Sequence, residues 1–458
     1  MAGIGFELRK ILVKDTLFSA LRAYSYAGII SSGSWILSIV GILLIGILGL
    51  PFVIPGTQVT QFQVSVTYLI ASSLILTGPL QLALTRFTSD RMFDHRQEQV
   101  LSNYHAVALV TTAASGVIGL ALAFFAFPEQ SVAYRLLMIA AFVVVSNIWI
   151  AVILLSGMKQ YKQIVFTFLI GYSATVGISL ALAPWGLHGL ILGFLLGQII
   201  LLTGLILPIY RVFISPTFMS FEMFQRRNLY PSLLFIGFFY NLGIWLDKFM
   251  FWYSDTGQQV IGPLHASVIY DIPIFLAYLG ILPGMAVFLV RIETDFVEFH
   301  SKFYNAVREG SSLDHIERMR NMMVRAIRVG IYEIVKIQAI AIMLVFVMGG
   351  PILRFLNISE LYLPLLYIDI IAASLQVVFL GILNIFFYLD HRQEVMWLTG
   401  GFVVLNGVLS YVTIHLGPAY YGYGFAIAML VIVMAGLYLL DKKLGSLEYH
   451  TYMLQKSA

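Results

Sequence analysis

The sequence contains no cysteine, and only 11% of its 458 residues carry a charge. The missing cysteines exclude disulfide bonds, thiolate catalysis and zinc or iron–sulfur sites built on cysteine. Soluble domains carry about 25% charged residues, so no part of this chain has the composition of a separate water-soluble core. A soluble enzyme held by one membrane anchor is therefore excluded.

Long apolar stretches take the place of charge. A helix needs roughly 20 mostly apolar residues to cross the hydrocarbon layer, and lipid cannot satisfy its backbone polar groups. Twelve stretches meet this requirement, so we expect an all-α polytopic membrane protein with twelve transmembrane helices in two six-helix bundles. The predicted spans are 23–50, 62–85, 104–127, 133–157, 163–184, 189–210, 229–254, 264–290, 329–350, 363–389, 394–417 and 419–440.

Basic residues lie almost entirely on one side of these spans. Nearly all of the 27 lysines and arginines fall in the N-terminal segment, the tail and alternate loops, whereas the opposite loops hold only Arg354, with Arg135 nearby. Because cytosolic loops are enriched in lysine and arginine, both termini are predicted to be cytosolic. Four regions follow: an amphipathic N-terminus (1–22), two bundles (23–212 and 213–440) with a cytosolic helical hairpin at 291–328, and a cytosolic tail (441–458).

Three pairs of segments indicate a tandem repeat. Parallel repeats suit alternating access, because one bundle can rock against the other. The first match is segment 33–37 with segment 243–247. In the second, Gly78-Pro79 followed by Arg86 and Asp90 corresponds to Pro283-Gly284 followed by Arg291 and Asp295. In the third, Pro184, Gly186 and Gly189 correspond to Pro418, Gly422 and Gly424.

Ionisable residues within the spans are the first candidates for function, because charges in lipid are costly and face a partner or water. Asp247 and Lys248 in span 7 are predicted either to line the path or to pair and fix packing. Asp271 is a candidate proton switch, since Pro273 frees backbone carbonyls that are tolerated mainly beside a cavity or another helix. Surface solvation could account for Asp369.

Aromatic and basic residues supply further candidates for a substrate path. The rings of Tyr240, Trp245 and Tyr270 could stack on apolar faces of a substrate, whereas Trp185, Trp252 and Tyr253 are expected to be interfacial residues. Arg86 and Arg291, at equivalent repeat positions, could guard the inner mouth or simply anchor the interface. Glu333 and Lys336 are expected to pair along one helix.

The hairpin at 291–328 is the largest soluble piece. Its apolar residues recur at helical spacing over 292–309, Gly310 ends that helix, and Ser311 with Asp314 resembles a capping box for the next. The hairpin could dock a partner protein or lie on lipid, and the N-terminus allows the same two interpretations. The docking candidates are Phe296, Phe299, Phe303, Arg318 and Arg320.

Some of these residues resemble a known family. The two six-span repeats, the Gly/Pro pairs and Asp247-Lys248 resemble the multidrug/oligosaccharidyl-lipid/polysaccharide flippase superfamily, which implies a fold of that kind. The opening 1–10 and Tyr270 to Pro273 resemble the inner-membrane transport subunits of Pel exopolysaccharide machineries, over the whole chain. This resemblance implies biofilm exopolysaccharide export of an N-acetylgalactosamine-rich polymer. It also implies, as partners, a cytosolic glycosyltransferase and membrane subunits of a Pel-like synthase complex, one of which senses cyclic di-GMP.

The favoured function is thus a non-enzymatic exporter that lies in membrane lipid and moves a polysaccharide. We expect no cofactor, metal ion or nucleic acid to take part. A lipid-linked oligosaccharide flippase would need a more basic cavity, and a cation-coupled small-molecule antiporter a compact acidic pocket. A membrane-embedded glycosyltransferase needs a larger cytosolic domain than the inner loops provide, and a passive scaffold would not need buried charges.

The orientation can be tested with single cysteines, since the chain has none of its own. We expect Arg96→Cys and Arg318→Cys to react with a membrane-impermeant maleimide in inside-out vesicles and to be protected in spheroplasts. Arg354→Cys is the control: it should be protected in inside-out vesicles and should react in spheroplasts. Labelling of positions 96 and 318 from opposite faces would overturn the span assignment.

Overall fold

A computed structural model of the protein describes residues 17–158, 160–356 and 358–447, with no side chains described at 17–21 and 31–35. Most of the predicted amphipathic N-terminus and of the tail, and part of the 33–37 repeat segment, therefore lie outside the described residues.

The described chain is almost entirely helical. Eleven helical stretches are long and apolar enough to cross a membrane, and α1 adds the apolar segment Ile36–Gly49, which confirms the predicted all-α membrane fold. The helices are α1 (Leu17–Gly49), α2 (Thr57–Phe93), α3 (Glu98–Phe125), α4 (Val132–Gly157), α5 (Tyr161–Ala181), α6 (Gly186–Val212), α7 (Pro231–Trp252), α8 (Val268–Leu279), α9 (Leu282–Val290), α10 (Val297–Arg308), α11 (Leu313–Phe355), α12 (Leu363–Tyr388), α13 (Arg392–Leu416) and α14 (Tyr423–Gly445). Strands β1 (Gln258–Ile261) and β2 (Leu264–Ala266) form an antiparallel hairpin.

Contacts divide the chain into two compact units. Residues 33–268 form one, and the residues up to Ser32 together with those from Ile269 onward form the other. They are called the 33–268 unit and the 269–447 unit below. This division does not test the predicted bundle boundary at 212–213, which stays a prediction.

Glycines permit a close helix crossing in the 33–268 unit. A Cβ built on Gly78 of α2 would overlap the carbonyl oxygen of Gly237 in α7, and a Cβ on Gly237 would overlap the backbone of Gly78. Small residues of this kind let membrane helices approach, and van der Waals packing then holds them together. The crossing joins α7 to α2 inside one unit.

In the 269–447 unit, the predicted hairpin is an extension of two spans. Span 8 runs through α8, α9, a π-helical segment (Arg291–Phe296) and α10, and α11 continues from the hairpin into span 9. The predicted capping box is wrong: Ser312 is the N-cap of α11, without a side-chain cap hydrogen bond. The reason is that the Ser311 amide instead donates to the carbonyl of Ala306 at 3.0 Å, so Ser311 belongs to the end of α10.

The repeat segments have matching local structure. A short 3₁₀ turn and a glycine with positive φ precede α6 (Gly186, φ 65°) and α14 (Gly422, φ 82°). Arg86 and Asp90 pair at 3.0 Å, and Arg291 and Asp295 pair at 2.8 Å, both four residues apart. Both matches are those expected of a tandem duplication.

The α2–α7 crossing gives a stability prediction. Gly78→Ala or Gly237→Ala forces backbone apart, and overpacking of this kind costs about 1–3 kcal/mol. Thermal unfolding of the purified protein in mild detergent should start at a lower temperature for both variants. Gly116→Ala in α3 is the matched control, because no atom lies within 4 Å of its Cβ. A native unfolding temperature for Gly78→Ala would contradict the crossing.

Candidate substrate-path and gating residues

Asp247 and Lys248 form a buried ion pair in α7. Asp247 is fully buried and Lys248 is 5% exposed. The Lys248 Nζ lies 3.1 Å from Asp247 Oδ2 and also donates to the carbonyl of Ile244 at 2.9 Å. Of the two predicted interpretations, this geometry favours mutual neutralisation, because removal of either partner would leave a buried charge. Their role in a substrate path stays a prediction.

Asp271 lies half-buried in the first turn of α8, and Pro273 is buried within the same helix. The interruption of span 8 falls further along, between Leu279 and Leu282, where α9 begins with Pro283 near its N-terminus. There the Gln338 side chain of α11 donates to the carbonyl of Ile281 at 3.4 Å. The helix break is thus supported by a polar group from the next span, as irregular backbone in a membrane requires.

Asp369 is fully buried in α12, so surface solvation does not account for it. Its Oδ1 lies against Gly422, where an added Cβ would be 3.0 Å away. A fully buried acid therefore lies in the same unit as the half-buried Asp271.

The aromatic candidates divide by burial. Trp252 is 2% exposed and packs at 4.5 Å between ring centroids on Tyr68, so the expectation that it is an interfacial residue is wrong. The reason is that α2 covers it, which the sequence does not reveal. Trp245 and Tyr240 are half-buried, and Tyr270 is fully buried. Tyr253 and Trp185 are 57% and 66% exposed, as expected of interfacial residues.

The two repeat arginines are already engaged by acids. Arg86 pairs with Asp90 and lies 5.4 Å from the centroid of the Tyr230 ring. Arg291 holds Glu333 through two contacts, at 2.5 and 3.0 Å. The predicted Glu333–Lys336 pair is therefore replaced, because the π-helical segment directs Arg291 toward α11, while Lys336 is exposed.

A polar network surrounds Arg291 and connects four spans of the 269–447 unit. Tyr24 of α1 hydrogen-bonds to Arg291. Two residues along, Glu293 accepts from Asn384 Nδ2 and from the Tyr388 hydroxyl, both at 3.0 Å and both from α12. We call these residues, with Asp295 and Glu333, the junction network. π-Helical turns occur frequently at functional sites, and this one lies where span 8 enters the hairpin.

The hairpin presents charge rather than apolar rings. Phe296 and Phe303 are fully buried within the chain, and Phe299 is half-buried beneath Lys302. Phe296 packs edge-on against Tyr388 of α12, with 5.5 Å between ring centroids, and burial within the chain leaves neither Phe296 nor Phe303 available to a partner or to lipid. Arg318 is exposed, and Arg320 is half-buried.

Sequence reasoning missed three contributors: Gln338, Glu293 with its α12 partners, and the β-hairpin. In the sequence, only the Gly262-Pro263 turn indicated the β-hairpin. In the described ranges, no group of three His, Asp or Glu residues could hold a metal ion.

The chain has the fold of several solved transporters. No curated protein sequence matches it. A MATE family multidrug resistance transporter of the MOP superfamily, outward-facing, is 13% identical with a TM-score of 0.64, covering 92% of this chain and 96% of that one. A MATE in the bent conformation is 14% identical with a TM-score of 0.61, covering 94% of this chain and 96% of that one.

A MOP superfamily transporter from Pyrococcus furiosus is 14% identical with a TM-score of 0.58, covering 93% of this chain and 96% of that one. Identities this low establish the fold and nothing more. The family model "PelG: Putative exopolysaccharide Exporter (EPS-E)" matches residues 1–452. The chain is therefore a member of the PelG family of exopolysaccharide exporters, with the fold of MOP superfamily transporters.

Proposed function

We propose that this protein passes a growing, N-acetylgalactosamine-rich exopolysaccharide from a cytosolic glycosyltransferase across the bacterial inner membrane. The family match over residues 1–452 is the observation that carries the proposal. The chain acts as the conduit, and synthesis takes place on its partner. The other proposed partners are membrane subunits of the synthase complex, one of which senses cyclic di-GMP.

The balance of charge in the described helices supports a polymer with little charge. Asp247 is neutralised by Lys248, and Arg86 by Asp90. Arg291 faces Asp295 and Glu333 together. A lipid-linked oligosaccharide carries a diphosphate, which would have to displace these carboxylates from the arginines. Sugar hydroxyls and apolar sugar faces need no such exchange.

The junction network is the proposed inner gate. It connects α1, α11 and α12 to the π-helical turn. Any movement of span 8 at this point must therefore either break the hydrogen bonds of the network or move the bonded residues of the other helices with it. Arg86 with Tyr230 is the proposed equivalent in the 33–268 unit. Asp271, half-buried beside Pro273, is the proposed polar group further along the path.

Docking of the glycosyltransferase is assigned to the exposed side of the hairpin. Because Phe296 and Phe303 are buried, the proposed contacts are Arg318 and Arg320, with the exposed Arg325 beside them. A surface of this charge fits an acidic patch on the partner, and such contacts steer association more than they add affinity.

Reconstitution tests passage directly. Inside-out vesicles carrying this chain and its synthase would be supplied with nucleotide-activated N-acetylgalactosamine, and polymer resistant to an added glycoside hydrolase would be counted. We expect hydrolase-resistant polymer only when this chain is present, because the chain then passes the polymer into the vesicle lumen, where the hydrolase cannot reach it. Polymer that stays hydrolase-sensitive would contradict export, and a product extractable into organic solvent would identify a lipid-linked substrate instead.

Docking is tested in the same vesicles with Arg318→Glu/Arg320→Glu. Charge reversal should release the synthase on co-purification and reduce the protected polymer. The matched control is Arg96→Glu, an exposed arginine at another charge-rich loop, which should change neither. Retained synthase in the double variant would contradict docking while leaving passage intact.

A further inference from the structure

A small cavity lies in the 33–268 unit, between α2, α3, α4 and β2. Its volume is about 100 Å³. Its wall includes Tyr68, Leu122, Phe127, Arg135, Ile139 and Phe142. It lies near the start of α4, at the end of the spans that is poor in charge.

Arg135 contributes the charge in this wall. Its Nε is buried and has no hydrogen-bond acceptor in the described structure. Across residues 17–158, 160–356 and 358–447, no carboxylate pairs with its guanidinium, in contrast to Arg86 and Arg291. A buried charged donor without an acceptor costs more than a neutral one, so the arrangement favours an anion at this position.

The surroundings of the cavity are apolar and face outward. Leu122, in the cavity wall, is 48% exposed, so the cavity reaches the surface of α3. On the same helix Leu120 and Phe124 are 59% and 72% exposed, and on α4 Val132 and Leu136 are 61% and 60% exposed. Exposed apolar residues on membrane spans contact lipid, so the cavity opens toward the bilayer.

We propose that this cavity binds one acidic phospholipid, with its phosphate on Arg135 and part of an acyl chain against Ile139 and Phe142. Apolar cavities of about 150 Å³ take up benzene, so a cavity of this size has room for a short length of hydrocarbon but not for a sugar chain. The site is separate from the export path proposed above and does not depend on it.

Native mass spectrometry of the purified full-length chain tests the site. Delipidated protein in mild detergent would be offered equal amounts of phosphatidylglycerol and phosphatidylcholine. We expect one phosphatidylglycerol to be retained with about tenfold preference, because phosphatidylcholine carries the same phosphate but adds a choline cation that repels Arg135. Arg135→Gln should abolish this preference, and Arg135→Lys should keep part of it. The control Arg354→Gln, which removes a 67%-exposed arginine from the same end of the spans, should keep all of it.

A second variant tests the hydrocarbon part. Gly119 of α3 lines the cavity, and a Cβ there would meet Ile139 at 3.5 Å, an ordinary contact. Gly119→Val should therefore fold, fill the space and reduce phosphatidylglycerol retention severalfold, with size-exclusion chromatography confirming a monodisperse protein. Unchanged preference in Arg135→Gln, equal retention of both lipids by the native chain, full retention in folded Gly119→Val, or displacement by millimolar inorganic phosphate would each overturn the proposal.

Discussion

The cost of placing charge and unsatisfied backbone in lipid governs this protein. Each span is a helix because only a helix satisfies its own amides there. Each buried charge needs an opposite charge or a polar partner, since removing one member of a buried pair costs several kcal/mol. The Asp247–Lys248 pair in α7 and the junction network around Arg291 both meet this requirement within single units.

In the proposed function, neutralisation by neighbouring groups also shapes what the chain transports. A proposed path bordered by paired charges would have little fixed charge to hold a strongly anionic substrate, and it would leave hydroxyls and aromatic rings as the available contacts. Such a path would suit a polymer that has to slide rather than bind. Arg135 departs from this pattern, and its position beside an apolar cavity at the helix surface fits a lipid rather than the proposed sugar polymer.

The extent to which sequence predicted this structure follows from the physics of each feature. Spans were predictable because apolar length is set by bilayer thickness. Partners across helices were not, since helical spacing shows which residues share a face and not which helix covers it. For this reason the sequence did not show that α2 buries Trp252, or that Glu333 binds Arg291 rather than Lys336. Phe303 illustrates the same limit, because its apolar spacing fits docking, lipid contact or internal packing equally well.

Neutralisation of charge by a neighbouring group is tested most directly by a double-mutant cycle on Asp247 and Lys248. Unfolding free energies would be measured for Asp247→Asn, Lys248→Met and the double variant in mild detergent. Each single change leaves a buried charge and should cost about 3–5 kcal/mol, whereas the double variant should cost far less than the sum. Additive losses would show that the two side chains do not stabilise one another, and would contradict the account.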